Sequence, residues 1–320
     1  MMKANNSFEE IMKCVLSAET IALAGHTNPD GDAIGACLAF GGALEKAGKK
    51  VQVILESYAE KYRLIPNGHL VCAAEKAEVP DVFFSLDCGD AERLGDAAEL
   101  FRRAAKKINI DHHESNTYFG ELNYVAAKAS STSEIIFQLL ENRLPITAAE
   151  AAGLYAGLIY DTGGFRHSST SPETMRIAGL LMGYGIPFTE IYNRFFDSRS
   201  FSELKLMGRA LSNAELLFGG DVVCAGITAA EIAELGGSNK ELDAVVNYLK
   251  GVVGAKVACF FYEKTETDVK GSFRGNDGYD VCALAQKFGG GGHIKAAGCT
   301  ISAPIAQAIQ MVLAEVEKML

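Results

Sequence analysis

Four short stretches put acid and imidazole side chains where apolar runs end. Gly25-His26-Thr27-Asn28-Pro29-Asp30-Gly31-Asp32 sets a histidine and two acids at alternate spacing, directly after a run of strand length. Phe83-Phe84-Ser85-Leu86-Asp87-Cys88-Gly89 closes a strongly apolar run with an acid. Asn109-Ile110-Asp111-His112-His113 places two adjacent imidazoles after an acid. Gly157-Leu158-Ile159-Tyr160-Asp161-Thr162-Gly163-Gly164 ends a helix-like run on a negative charge, which opposes the macrodipole and is relieved by a nearby cation. Each stretch alone has a plain reading as a helix cap, a turn or a solvated pair. Together they supply oxygen and nitrogen donors and no thiolate, a set that favours Mn²⁺ or another hard to intermediate divalent ion over structural Zn²⁺. An acid bridging two ions about 3.5–4 Å apart is a geometry used to hydrolyse phosphate esters.

The elements that must carry these residues alternate along the first half of the chain. Ser7 with Glu10 forms a capping box before a first helix. Strands are predicted over residues 20–25, 51–55, 82–86 and 107–110, with a helix over 33–47. Strands separated by helices predict parallel βαβ units, and sites in such sheets lie beyond the carboxyl ends of the strands. Residues 131–217 turn helical, with Thr147 and Glu150 as a second capping box and Ser171-Pro172 as a helix start. Further strands are expected over 221–226, 255–262 and 269–273. The fold class is thus α/β: a parallel-sheet domain over 1–195 that carries the four stretches, a helical connector over 196–215, and a smaller α/β domain over 216–320.

A second group of residues lies in that smaller domain. Arg274, in Ser272-Phe273-Arg274-Gly275-Asn276, can pair bidentately with phosphate oxygens. Gly289-Gly290-Gly291-Gly292-His293 brings bare backbone amides, and then an imidazole donor, within reach of a phosphate.

With 320 residues the chain has room for two domains. A net charge of −10 excludes a protein that holds long duplex nucleic acid by a broad basic surface. The eight cysteines are scattered, with no C-x-x-C pair, and suit a reducing cytoplasm. Acids interrupt the N-terminal run where a signal peptide needs an apolar core, and no run approaches the ~18–20 residues of a membrane span.

The four motifs, in this order, resemble the DHH phosphoesterase superfamily, and the C-terminal motifs resemble its DHH-associated substrate-binding domain. Within the superfamily the chain is most similar to the nanoRNase/pAp phosphatase subfamily. The resemblance implies two divalent ions, most simply Mn²⁺. It assigns one to His26, Asp30 and Asp87 and the other to Asp32, Asp87, His112 and Asp161. It puts His113 beside the scissile phosphate, Asp111 behind the histidine pair, and Asn28 against the substrate. Arg274, Asn276, Gly290, Gly291, Gly292 and His293 would bind the nucleotide. The implied reaction releases 5′-mononucleotides from short oligoribonucleotides and removes the 3′-phosphate of pAp. A cyclic or linear dinucleotide phosphodiesterase would use the same motifs, and a non-catalytic nucleotide sensor could keep the fold. A homodimer is also compatible with the resemblance. Gly164 replaces an expected larger residue and is predicted to loosen the loop after Asp161. His167 is read as structural and His69 as an ordinary residue outside the motifs.

Overall fold

The computed structural model describes residues 5–265 and 267–320. The chain divides into two compact units, one ending at Ser198 and the other beginning at Arg199.

In the first unit the strands are β1 (Thr20–Ala24), β2 (Lys50–Ile54), β3 (Val71–Cys72), β4 (Val82–Leu86), β5 (Lys106–Asp111) and β6 (Leu122–Val125). They form one sheet in the order β3-β2-β1-β4-β5-β6, with every neighbouring pair parallel. The order reverses between β1 and β4, and a crevice at the carboxyl ends of the strands belongs at such a reversal. The helices are α1 (Phe8–Ser17), α2 (Gly31–Lys46), α3 (Ala98–Arg103), α4 (Thr132–Leu140), α5 (Ala148–Asp161), α6 (Pro172–Met182) and α7 (Phe188–Tyr192).

Strand periodicity explains how both faces are covered. Ile21 and Leu23 of β1, with Phe84 and Leu86 of β4, point into one core together with residues of α2, α4 and α5. Ala22 and Ala24, with Phe83, point into the other with Leu100 and Phe101 of α3. A sheet buried on both faces reads as near-continuous apolar runs, as these strands do.

Helix starts follow the caps read in the sequence. Ser7 accepts from the Glu10 amide while Glu10 accepts from the Ser7 amide at 2.7 Å, and Ser171 caps α6 with Pro172 as its first residue.

The second unit contains α8 (Phe201–Ser212), β7 (Glu215–Leu217), β8 (Val222–Ile227), α9 (Ala229–Glu234), α10 (Val245–Lys250), β9 (Val257–Glu263), β10 (Asp268–Gly275), α11 (Val281–Gln286), β11 (Gly291–His293), β12 (Ala296–Ser302) and α12 (Ile305–Glu317). Its sheet runs β11-β12-β10-β9-β8-β7 and is mixed, with β8 and β9 parallel and the other pairs antiparallel. The helical text expected as far as residue 217 ends earlier, because residues 215–217 pair as an edge strand with β8. Leu206 and Ala210 of α8 are buried with Val223 and Ala225 of β8, so this helix is part of the second unit's core. Among the described residues no helix is long and apolar enough to cross a membrane.

Candidate metal centre and active site

The site is built at the carboxyl ends of β1, β4 and β5, around the reversal of strand order. β1 delivers His26, which is 7% exposed, and the loop that follows delivers Asp30 as the N-cap of α2. One Asp30 oxygen does the capping, accepting from the amides of Asp32 at 3.0 Å and Ala33 at 3.2 Å. The other faces His26 Nε2 at 3.8 Å. The cap and the cluster are therefore one residue used on both sides.

Asp32 opens α2 and has no solvent exposure. Its two oxygens accept the first amides of α4, from Thr132 at 2.6 Å and Ser133 at 2.9 Å. A helix N-terminus is where a buried carboxylate is best tolerated. Burial, and then the nearby charges of Asp87 and Asp161, still push its pKa well up.

Asp87 follows β4 with φ +56, a left-handed conformation that Asp and Asn adopt more readily than most residues. That backbone aims the carboxylate at two histidines at once. Oδ2 lies 3.6 Å from His26 Nε2, and Oδ1 lies 3.5 Å from His112 Nε2. Thr132 Oγ1 donates to Oδ1 at 3.1 Å, so one residue of α4 touches both Asp32 and Asp87. Thr132 carries no chemistry of its own and was not singled out in the sequence. A hydroxyl two residues into the Ser130-Ser131-Thr132-Ser133 run is the only local sign, and it reads as an ordinary helix cap.

Asp161 is the last residue of α5, and the cation expected there is His112, whose Nε2 is 3.1 Å from Asp161 Oδ2. Burial depresses the imidazole, but Asp161 and Asp87 outweigh it and hold His112 up at about 12. Asp111 is fully buried and accepts at 2.7 Å from His113 Nδ1, on a ring about a third exposed. Asn28, also left-handed at φ +52, is exposed on the loop between His26 and Asp30, and its backbone N–H donates to the Glu56 carboxylate at 2.9 Å.

The helices α2 and α5 meet backbone to backbone here. A Cβ on Gly35 would lie 2.4 Å from the Gly153 carbonyl oxygen, and one on Gly157 would lie 2.6 Å from Asp32 Oδ1. That approach brings Asp32 at the start of one helix to Asp161 at the end of the other.

Donor atoms of three groups each lie within 4.8 Å of one another: His26, Asp30 and Asp87; Asp32, His112 and Asp161; and Asp87, His112 and His113. Buried carboxylates this close repel unless cations stand among them. In the chain itself the imidazoles of His26 and His112 stand among them, and against the effect of burial the acids raise the pKa of both rings. A donor set of carboxylates and imidazoles fits divalent ions of hard to intermediate character.

One expectation is overturned in the loop after Asp161. Gly164 does not loosen it: its φ is +68, and a Cβ there would lie 2.7 Å from Tyr192 Cε2, so glycine lets the loop pack tightly on α7. His167 lies over Gly163 and bonds the Asp161 carbonyl through Nδ1 at 3.0 Å. His69 is exposed and pairs with Glu45 at 3.1 Å.

In the second unit, Arg274 is half-buried on β10, donating through Nε to Asn247 at 3.0 Å and through Nη1 to the Phe273 carbonyl at 3.0 Å. Asn276 donates inward to the Ala255 carbonyl at 2.6 Å. The last two glycines of the run form β11 with His293 and pair with β12, and Gly289 and Gly290 precede the strand. The Gly289 and Gly290 amides donate to the Gln286 and Ala285 carbonyls, while Gly291, Gly292 and His293 are exposed.

The N-terminal domain of the DHH family matches residues 20–158, and the DHHA1 domain matches residues 222–320. The bifunctional oligoribonuclease and PAP phosphatase NrnA of Thermus thermophilus is 33% identical over 97% of this chain and 92% of its own length. The chain belongs to the DHH family of phosphoesterases. A DHH-family relative of the same name from Bacillus subtilis is 27% identical over 91% of this chain and 92% of its own. Among solved DHH-fold structures, an exopolyphosphatase-related protein from Bacteroides fragilis superposes with a TM-score of 0.84 at 27% identity, covering 97% of this chain and 95% of that one. RecJ from Thermus thermophilus, solved with Mn²⁺, shares the fold at a TM-score of 0.55 and 14% identity, covering 97% of this chain and 53% of that one. As a DHH phosphoesterase the chain is a hydrolase.

Thr132 gives a first prediction. Thr132→Val keeps the shape and the backbone amide to Asp32 but removes the hydroxyl from Asp87. Loss of such an outer partner is expected to weaken Mn²⁺ binding about tenfold, read by titration calorimetry. Unchanged affinity would show that the hydroxyl plays no part in holding Asp87.

Proposed function

We propose that this chain is a manganese-dependent phosphoesterase that hydrolyses short oligoribonucleotides to 5′-mononucleotides and removes the 3′-phosphate of pAp. The observation that carries the reading is the Asp87 carboxylate, with one oxygen facing His26 and the other facing His112. His26, Asp30 and Asp87 would hold one ion, and Asp32, Asp87, His112 and Asp161 the other. When bound, such ions lower the pKa of a water and offset charge on the phosphoryl oxygens.

The chain's own residues do the rest. Asp111 accepts from Nδ1 of His113 and favours the protonated ring, whose other nitrogen then also carries a proton to donate to a phosphoryl oxygen. Asn28, exposed between His26 and Asp30, contacts the substrate on the same side. In the second unit, Arg274, Asn276, Gly290, Gly291, Gly292 and His293 bind the nucleotide. Gly291, Gly292 and His293 are the exposed members of this set, whereas Gly290, Asn276 and Arg274 already bond inside the unit and would exchange or share those bonds to reach the nucleotide. The names of the relatives from Thermus thermophilus and Bacillus subtilis support the choice of substrates. All eight cysteines are free thiols, which suits the cytoplasmic location we assign.

Side-by-side turnover of pApA, pAp, cyclic di-AMP and pyrophosphate with Mn²⁺ tests the reading. Hydrolysis of pApA and pAp is expected. Turnover confined to cyclic di-AMP or pyrophosphate would reassign the substrate, and no turnover with both ions bound would refute the proposal.

Ion binding should also be linked to protons. His112 is held protonated near neutral pH, whereas a metal ligand must be a neutral imidazole, so binding displaces its proton. Apparent Mn²⁺ affinity should therefore rise with pH, by up to about tenfold per pH unit for each proton displaced. Calorimetry in buffers of different ionisation enthalpy measures the protons released, and a value of zero would contradict the assignment of His112.

A further inference from the structure

Three residues past His113 lies Asn116, 4% exposed, which the ligand assignment does not use. Its Nδ2 donates to Asp111 Oδ2 at 2.6 Å and lies 2.9 Å from Asn109 Oδ1 and 3.2 Å from the Cys88 carbonyl oxygen. Its Oδ1 accepts from the Tyr118 amide at 2.7 Å. With acceptors on one side and a donor on the other, the amide has one orientation that satisfies it. Asn109, fully buried, donates to the same Cys88 carbonyl at 3.1 Å. The two amides thus tie the end of β5 to the residue after Asp87.

Asp111 is where this network meets the reaction. One of its oxygens engages His113 Nδ1 at 2.7 Å, and the other is engaged by Asn116. A fully buried carboxylate with only one oxygen bonded would be free to rotate and would leave an acceptor unsatisfied. With both oxygens bonded, its plane is set. His113 Nδ1 also lies 3.8 Å from Asp87 Oδ1, so rotation of Asp111 would carry the ring across the shared acid. We propose that Asn116 is a positioning residue, which through Asp111 fixes the ring of His113 relative to Asp87. Its loss lowers the chemical step while the metal ligands stay in place.

The bland reading of Asn116 is a turn residue, since it accepts from Tyr118, whose φ is +58. That role would move stability and not the coupling to His113. The inference rests on the placement of His113 beside the phosphate, and a double-mutant cycle separates the two. Asn116→Ala, His113→Ala and the double variant are compared on pApA with Mn²⁺. Asn116→Ala is expected to lower kcat about 10–100-fold, with KM and Mn²⁺ affinity within about twofold. In the His113→Ala background the same substitution should change kcat by less than about threefold. An equal loss in both backgrounds overturns the positioning role, whereas full activity of His113→Ala overturns the placement of His113. A low-field proton resonance on His113 Nδ1 in the metal-free protein gives a readout that needs no substrate. It should be present in wild type and lost in Asn116→Ala, and its retention overturns the inference. Should Asn116→Ala not fold, Asn116→Ser keeps a short oxygen that can accept from the Tyr118 amide and loses the amide donor to Asp111. The inference expects the same losses there, while a turn role expects wild-type kcat.

Discussion

Asp87→Asn is expected to lower kcat/KM on pApA by at least about 10³-fold, because one substitution removes a charge from both ligand clusters. Asn is the replacement that isolates this effect. It tolerates the left-handed backbone at φ +56, and its amide oxygen still accepts from Thr132. Asp87 is also 2% exposed between like-charged acids and two imidazoles, so in the metal-free protein removing its charge relieves repulsion of Asp32 while giving up attraction to His26 and His112, and the two effects oppose each other. The metal-free variant should therefore melt within about 3 °C of wild type, roughly 1 kcal/mol for a domain of this size. The two should part company when Mn²⁺ is added. A ligand present at 100 times its Kd stabilises the folded state by about 2.7 kcal/mol, and wild type should show a gain of that order that EDTA removes. Asp87→Asn should show little of it. A variant that gained as much as wild type would mean that Asp87 holds neither ion.

Gly157→Ala should have the second largest effect, although it adds only a single methyl group. That Cβ would lie 2.1 Å from Ser133 Oγ and 2.6 Å from Asp32 Oδ1. Asp32 cannot retreat freely, because both its oxygens are held by amides of α4. Overpacking of this kind costs about 1–3 kcal/mol. The larger consequence is for the site, where a displacement of about 1 Å can lower the rate about 10²-fold. Gly179→Ala is the control: it lies within α6 with open space around it, and should keep activity and add a few tenths to 1 kcal/mol of stability. If Gly157→Ala kept wild-type turnover, the close contact of α2 and α5 would not be what holds Asp32 beside Asp161.

The sequence made the ligand candidates legible because each sits where an apolar run stops, and strand ends are where parallel sheets place their sites. Asp87 after Phe83-Phe84 and His112 after Ile108-Asn109-Ile110 are of this kind. The parallel sheet followed from the same runs, and caps such as Ser7 with Glu10 fixed helix starts to the residue. What stayed hidden depends on distant pairing. β6 is four residues with half of them exposed to some degree, and β3 and β7 are shorter still, so no periodicity develops. Thr132 and Asn116 carry neutral side chains whose roles exist only because α4 and the loop after β5 converge on Asp32, Asp87 and Asp111. The glycines at 35, 153 and 157 read as helix-weakening residues until the partner helix is known. Gly164 misled for the same reason: its need for small size comes from Tyr192 on another element.

Asp87 is proposed to serve two divalent ions at once. Crystals grown with Mn²⁺ and measured at the manganese absorption edge would test it most directly through an anomalous difference map. Two peaks are expected about 3.5–4 Å apart, one beside each Asp87 oxygen, with His26 at the first and His112 at the second. A single peak, or two peaks neither of which touches Asp87, would contradict it.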